Sequence, residues 1–165
     1  MSTNFRAANQ VEGRVDGTGV RVGLVCGRFN DHITERLLDG ACTALAVHGV
    51  AEADVTQIWV PGAFEVPLAA KALVVHGHVD AVVCLGAVIR GETSHYDFVA
   101  GECARGIQDV QLDTGVPVIF GVLTTENLEQ ALARSDEDDN KGEESVRTAL
   151  EMVDLLRRIE SGPQG

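Results

Sequence analysis

A single histidine, His95, follows the turn Gly91-Glu92-Thr93-Ser94, and the four residues before it read as the start of a helix. Free backbone N–H groups at a helix start, with hydroxyls beside them, suit a phosphate. The same residues also suit plain N-capping by Thr93 or Ser94. An imidazole in that first turn can transfer protons near neutral pH. Upstream, Gly27-Arg28-Phe29-Asn30 carries an aromatic ring that could stack on a planar heterocycle or plug the core. Pro61-Gly62-Ala63-Phe64-Glu65 pairs close backbone approach with a carboxylate. Glu65 could accept hydrogen bonds from a ligand or sit as a favourable charge at a helix start. Downstream, Phe120-Gly121 and Thr124-Thr125-Glu126 add a second aromatic ring and more hydroxyls.

The other histidines have plainer readings. His48 and His76 each precede a glycine at a helix end, and His78 lies in the next turn. His32 starts a helix. His76 and His78 lack the carboxylate or cysteine spacing that would complete a metal site. GxSxG, GxGxxG and GxxxxGK[ST] are all absent, so no nucleophile elbow, dinucleotide fingerprint or P-loop is expected.

The elements that must position these groups alternate. Four β-branched runs, at 20–26, 55–60, 81–89 and 116–123, are nearly continuous in apolar residues, as for strands covered on both faces. Helical stretches follow them. Ile33, Leu37, Leu38, Ala41, Cys42, Leu45 and Ala46 form one apolar stripe. The others lie at 64–75, 94–111, 126–134 and 143–159, and Gly49, Gly77 and Gly115 end three of the helices. The alternation predicts an α/β fold, a three-layer sandwich around a central four-stranded parallel sheet. Ligands of such sheets bind beyond the carboxyl ends of the strands. The residues singled out above fall after successive strands, on that one edge. Residues 1–19 are polar and Gly-rich and read as an N-terminal arm, loose or edge-pairing; residues 20–165 read as one domain. SDEDDN, at 135–140, reads as a solvated acidic turn.

Composition limits the function classes. The 165 residues are 45% hydrophobic and 23% charged, ordinary globular values. Thirteen Lys and Arg against 25 Asp and Glu leave a formal charge of −12, so a net basic footprint for nucleic acid is absent. An anionic substrate would need a local cationic pocket. No apolar run reaches the roughly 20 residues of a membrane span. The four cysteines, Cys26, Cys42, Cys84 and Cys103, form no CxxC and read as buried free thiols. MSTNFRAANQVEG lacks the apolar stretch of a secretory signal, so the expected location is the cytoplasm.

In order and spacing, GRFN (27–30), PGAFEVP (61–67), GAVIRGETSHYDFV (86–99), FGVLTTENLEQALAR (120–134) and NKG (140–142) resemble the blocks of the lumazine synthase family. The resemblance runs from residue 20 to residue 159 and implies a flavodoxin-like fold. It implies condensation of 5-amino-6-(ribitylamino)uracil with 3,4-dihydroxy-2-butanone 4-phosphate to 6,7-dimethyl-8-ribityllumazine, phosphate and water. It implies that Phe29 stacks on the pyrimidine and that Phe120 completes that pocket. Ala63, Phe64, Glu65, Ala87, Val88 and Ile89 would line the ring and ribityl site. Glu92, Thr93 and Arg134 would hold the phosphate, Glu92 through its backbone N–H. His95 matches the proton-transfer histidine, and Lys141 and Glu144 match positions near the site. No metal or redox cofactor is implied. The family's pentamers, free or packed into icosahedral shells, place sites between subunits, so Phe120 and Arg134 would face Phe29 and His95 of the next chain. Shell-forming members carry a Gly-Thr-Lys-rich turn where this chain has SDEDDN; the missing insertion of non-shell members favours the shell. A non-catalytic flavin- or lumazine-binding protein, a related riboflavin synthase and a purely structural shell protein are the competing readings.

Overall fold

A computed structural model of the chain describes residues 6–162. Residues 1–5 of the arm and 163–165 of the domain lie outside the described residues. Four strands, β1 (Val22–Gly27), β2 (Val55–Val60), β3 (Ala81–Ile89) and β4 (Val118–Thr125), form one sheet. All three pairings are parallel, in the order β2-β1-β3-β4. The helices are α1 (Asp31–Val47), α2 (Val66–His76), α3 (His95–Thr114), α4 (Leu128–Ala133) and α5 (Lys141–Ser161). Short 3₁₀ turns at Glu52–Asp54 and Ala63–Glu65 lead into β2 and α2.

Strand alternation splits the core in two. From β3, Ala81, Val83 and Leu85 join Ile33 and Leu37 of α1 and Val146 and Leu150 of α5 on one side. Val82, Cys84 and Val88 join Val66 and Leu73 of α2 and Cys103 and Ile107 of α3 on the other. The result is the expected three-layer sandwich. The α1–α5 crossing is close: a side chain at Gly142 would run into the Leu37 carbonyl, so only glycine fits there.

Several sequence expectations shift. β2 is not covered on both faces: the strand order leaves it at the sheet margin, and Thr56 and Gln57 are exposed. The α1 stripe is narrower than the seven residues expected. Cys42 and Ala46 face solvent, and Ala44 is buried instead. Cys42 is therefore an exposed thiol, and only the other three cysteines are buried. Gly49 and Gly115 end their helices with positive φ, but Gly77 stays right-handed and His78 takes the left-handed conformation, φ 55°. The described part of the arm is not loose throughout. The Gly17 amide donates to the His48 carbonyl at 2.8 Å, the Arg14 amide donates to Asp154 on α5 at 2.8 Å, and Val15 packs on the core. The acidic turn is held by Arg36, whose Nε donates to Ser135 at 3.1 Å. No helix among the described residues is long and apolar enough to cross a membrane.

Candidate active site

The chain runs from β1 out to β2, then back across to β3 and on to β4. The β1/β3 boundary is therefore the point where the strand order reverses, and crevices in open α/β sheets form there. An open cleft of about 740 Å³ lies at the carboxyl ends of these strands. Each wall is built by a short segment leaving a strand.

From β1, Arg28 and Phe29 continue the ladder, their amides donating to the Val60 and Pro61 carbonyls at 2.8 and 3.0 Å. This carries Phe29 over Gly62, where an added Cβ would come within 3.8 Å of the phenylalanine Cβ. Phe29 is 74% exposed, which rejects the core-plug alternative within a protomer. Asn30 follows with φ 62°, a left-handed position asparagine tolerates. Its Nδ2 donates to the Ala87 carbonyl at 2.9 Å, tying the β1 exit to β3. From β2, the 3₁₀ turn buries Ala63 and leaves Phe64 and Glu65 exposed in the cleft. Glu65 precedes α2 but makes no side-chain cap, so its carboxylate is free to meet a ligand.

Ala87, Val88 and Ile89 form the floor at the end of β3. Beyond them the chain is exposed from Gly91 to His95. α3 begins at His95, and the Thr93 hydroxyl accepts from the His95 amide at 3.3 Å. This is a turn bond one residue before the cap: Ser94 is the N-cap of α3 and makes no side-chain cap hydrogen bond. Thr93 and His95 both line the cleft.

Sequence reasoning passed over Tyr96, Phe98 and Val99, which also line it. The signal was present. His95, Phe98 and Val99 share one helical face by their i, i+3, i+4 spacing. Asn30 lay within a quoted block, but its bridging role needs the fold.

Five expected residues are not in this cleft. Glu92 is exposed on the turn beside it. Phe120 is 42% exposed on β4, at the opposite edge of the sheet from β2. Arg134 ends α4, where its Nη1 donates to the Gln130 carbonyl at 3.1 Å. The Lys141 amide donates to the Arg134 carbonyl at 3.0 Å, so these two residues are neighbours at the start of α5. Lys141 Nζ pairs with Glu144 at 2.8 Å and Asp139 at 3.4 Å, and the Glu144 hydrogen bond leads in raising the lysine pKa. Glu144 lines a separate hollow of about 330 Å³ with Asp138 and Arg147. The expected residues therefore fall in different places on the chain: in the cleft, on β4, and along the segment from Arg134 to Glu144.

The sequence family described as 6,7-dimethyl-8-ribityllumazine synthase matches residues 19–157. The chain belongs to that family. It is a transferase enzyme of riboflavin biosynthesis. The match covers all four strands and both groups of residues, the cleft at the β1/β3 boundary and the Arg134–Glu144 segment.

Proposed function

We propose that the enzyme condenses 5-amino-6-(ribitylamino)uracil with 3,4-dihydroxy-2-butanone 4-phosphate, giving 6,7-dimethyl-8-ribityllumazine, inorganic phosphate and two molecules of water. The observation that carries this reading is the cleft itself. It gathers an exposed aromatic ring, a free carboxylate, an apolar strand-end floor and a histidine at a helix start.

Phe29 stacks on the pyrimidine ring. Ala63, Phe64 and Glu65, with Ala87, Val88 and Ile89 of the floor, line the site for its ring and ribityl chain. The ring amine attacks the ketone, and loss of water gives an imine. A proton leaves carbon and phosphate is expelled. The enol left behind becomes a ketone, the second amine adds to it, and loss of a second water closes the ring. His95 moves the protons. Thr93 and the backbone N–H of Glu92 hold the phosphate, with Arg134 countering its charge. Holding two reactive partners in line supplies much of the acceleration.

Phe120, Arg134, Lys141 and Glu144 enter from a second copy of the chain. The exposed Phe120 on an edge strand and the distance of this group from the cleft support a homo-oligomer, read as a pentamer, with residues 20–165 as its synthase domain and 1–19 as its arm. The same reading puts the enzyme in the cytoplasm, where four free cysteines stay reduced. The missing insertion at 135–140 supports a shell of pentamers.

Incubating the protein with both substrates and following lumazine fluorescence tests the reaction. His95→Ala should lower turnover with folding intact, and Arg134→Ala should raise KM for the butanone phosphate most. No product from the wild-type protein refutes the reading and favours a binding or structural role.

A further inference from the structure

Arg90 stands between the last residue of β3 and the exposed turn that leads to His95. Its amide donates to the Thr125 carbonyl at 2.9 Å, extending the β3–β4 ladder by one step. Its side chain makes three further contacts. Nε donates to Glu126 at 2.7 Å, just past the end of β4. Nη1 reaches Asp97, in the first turn of α3, at 3.3 Å. The guanidinium carbon lies 4.3 Å from the centroid of the Tyr96 ring, a cation–π distance. The hydrogen bond to Glu126, joined by the charges of Glu126 and Asp97, also raises the arginine pKa.

The turn has little else to hold it. Residues 91–95 are all exposed, and a side chain at Gly91 would meet nothing within 4 Å. Exposed ion pairs contribute little to global stability. Tyr96, Val99 and Ala100 pack the start of α3 on the core, and three contacts from one guanidinium, reaching both sides of the exposed turn, add a link from that start to the end of β4. Tyr96 and Asp97 are the two residues next to His95. A planar guanidinium can serve two carboxylates and a ring face at once, which an ammonium cannot. Both carboxylates occupy the arginine, so it acts through its neighbours.

We propose that Arg90 is a positioning residue: it ties the start of α3 to the end of β4 and so sets the place of His95 in the cleft. In its kinetic consequences this rests on the proposed reaction, and one arm of the test does not. Arg90→Met removes the tether and keeps the length of the stem. Its kcat should fall about 10- to 100-fold, the scale of a small misplacement of a catalytic group. KM for the pyrimidine, whose contacts lie on Phe29 and the β3 floor, should stay within about twofold. Arg90→Lys should recover part of the loss. Asp97→Asn with Glu126→Gln should reproduce it, and adding Arg90→Met to that pair should add little, as for residues acting as one unit. These two substitutions also keep the question decidable if Arg90→Met does not fold.

The independent arm uses ring ¹³C–¹H spectra of the five histidines. The His95 signal, assigned by its loss in His95→Gln, should shift or broaden in Arg90→Met while the other four hold. A wild-type protein that makes no lumazine refutes the proposed reaction, and the spectra still decide the tether. Arg90→Met with kcat within twofold of wild type, or an unmoved His95 signal, overturns the inference.

Discussion

Replacing Phe29 by alanine separates a stacking ring from a structural one. A core phenylalanine costs about 3–5 kcal/mol when cut to alanine. Phe29 is 74% exposed, and its Cβ lies beside the Gly62 turn. The expected destabilisation is about 1 kcal/mol or less, a Tm shift of about 4 °C at most for a chain of this length. Binding should respond far more. An aromatic ring stacked on a nucleobase-like heterocycle contributes about 1–3 kcal/mol, or about 5- to 150-fold in Kd. Phe29→Ala should therefore weaken binding of the lumazine product by that factor, measured by titrating its fluorescence at fixed protomer concentration. Phe29→Tyr should bind nearly as well as wild type, and Phe29→Leu should fall between, since it keeps bulk and loses the π face. A Tm drop near 10 °C would show that the ring is structural. Product binding within twofold of wild type would refute stacking outright.

Three further outcomes are expected. Asn140 caps α5 through Oδ1, which accepts from the Gly142 and Glu143 amides at 2.9 and 3.2 Å, and donates through Nδ2 to the Arg36 and Ser135 carbonyls at 3.0 and 3.3 Å. Asn140→Ala should cost about 2–3 kcal/mol, seen as a Tm about 5–10 °C lower, whereas Asn140→Asp keeps the cap and should lose about half as much. Arg158 and the Arg14 amide hold the Asp154 carboxyl below its usual range. Its stabilisation is present above the unfolded value near pH ~4 and fades as the pH falls through the folded value, so Asp154→Asn should trail wild type in urea midpoint at neutral pH, with the gap closing in acid; a constant gap would contradict the pairing. Burial pushes the Cys26 and Cys103 thiols up to about 12 and Cys84 well above its usual value, and burial with Asp39 raises Cys42 too, but Cys42 alone is exposed, so a thiol reagent should modify one cysteine per native chain, and Cys42→Ser should abolish that reaction.

What was legible in the sequence follows from parallel-sheet geometry. Strands that all point one way bring their exits to one edge, so Phe29, Phe64, Glu65, Ile89 and His95 could be grouped from their order alone. Features that depend on lateral position were not legible. The β2 run Val55–Val60 is as apolar as an edge strand as it would be in the centre, and periodicity does not report which. On α1, alanine and cysteine are too small to mark a face, so Cys42 and Ala44 were exchanged. The role of Arg90 has no local signal, because its principal partner, Glu126, lies 36 positions away.

The division of the expected site has the same origin. β4 is the edge strand farthest from β2, and the chain leaves it through α4 before α5 returns along the sheet. Arg134 and Lys141 are joined by a backbone hydrogen bond at that return, and neither lines the β1/β3 cleft. Arg90 is the group that spans part of this gap, since it links the His95 turn to Glu126 at the head of the segment leading to Arg134. A second copy that brings its own Phe120 and Arg134 to the cleft would then meet a His95 already fixed against β4 of the first. On the proposed assembly and tether, phosphate recognition would depend on association and histidine placement would not. Diluting the protein below its assembly range should therefore raise KM for the phosphate substrate while the ring signal of His95 stays where it is.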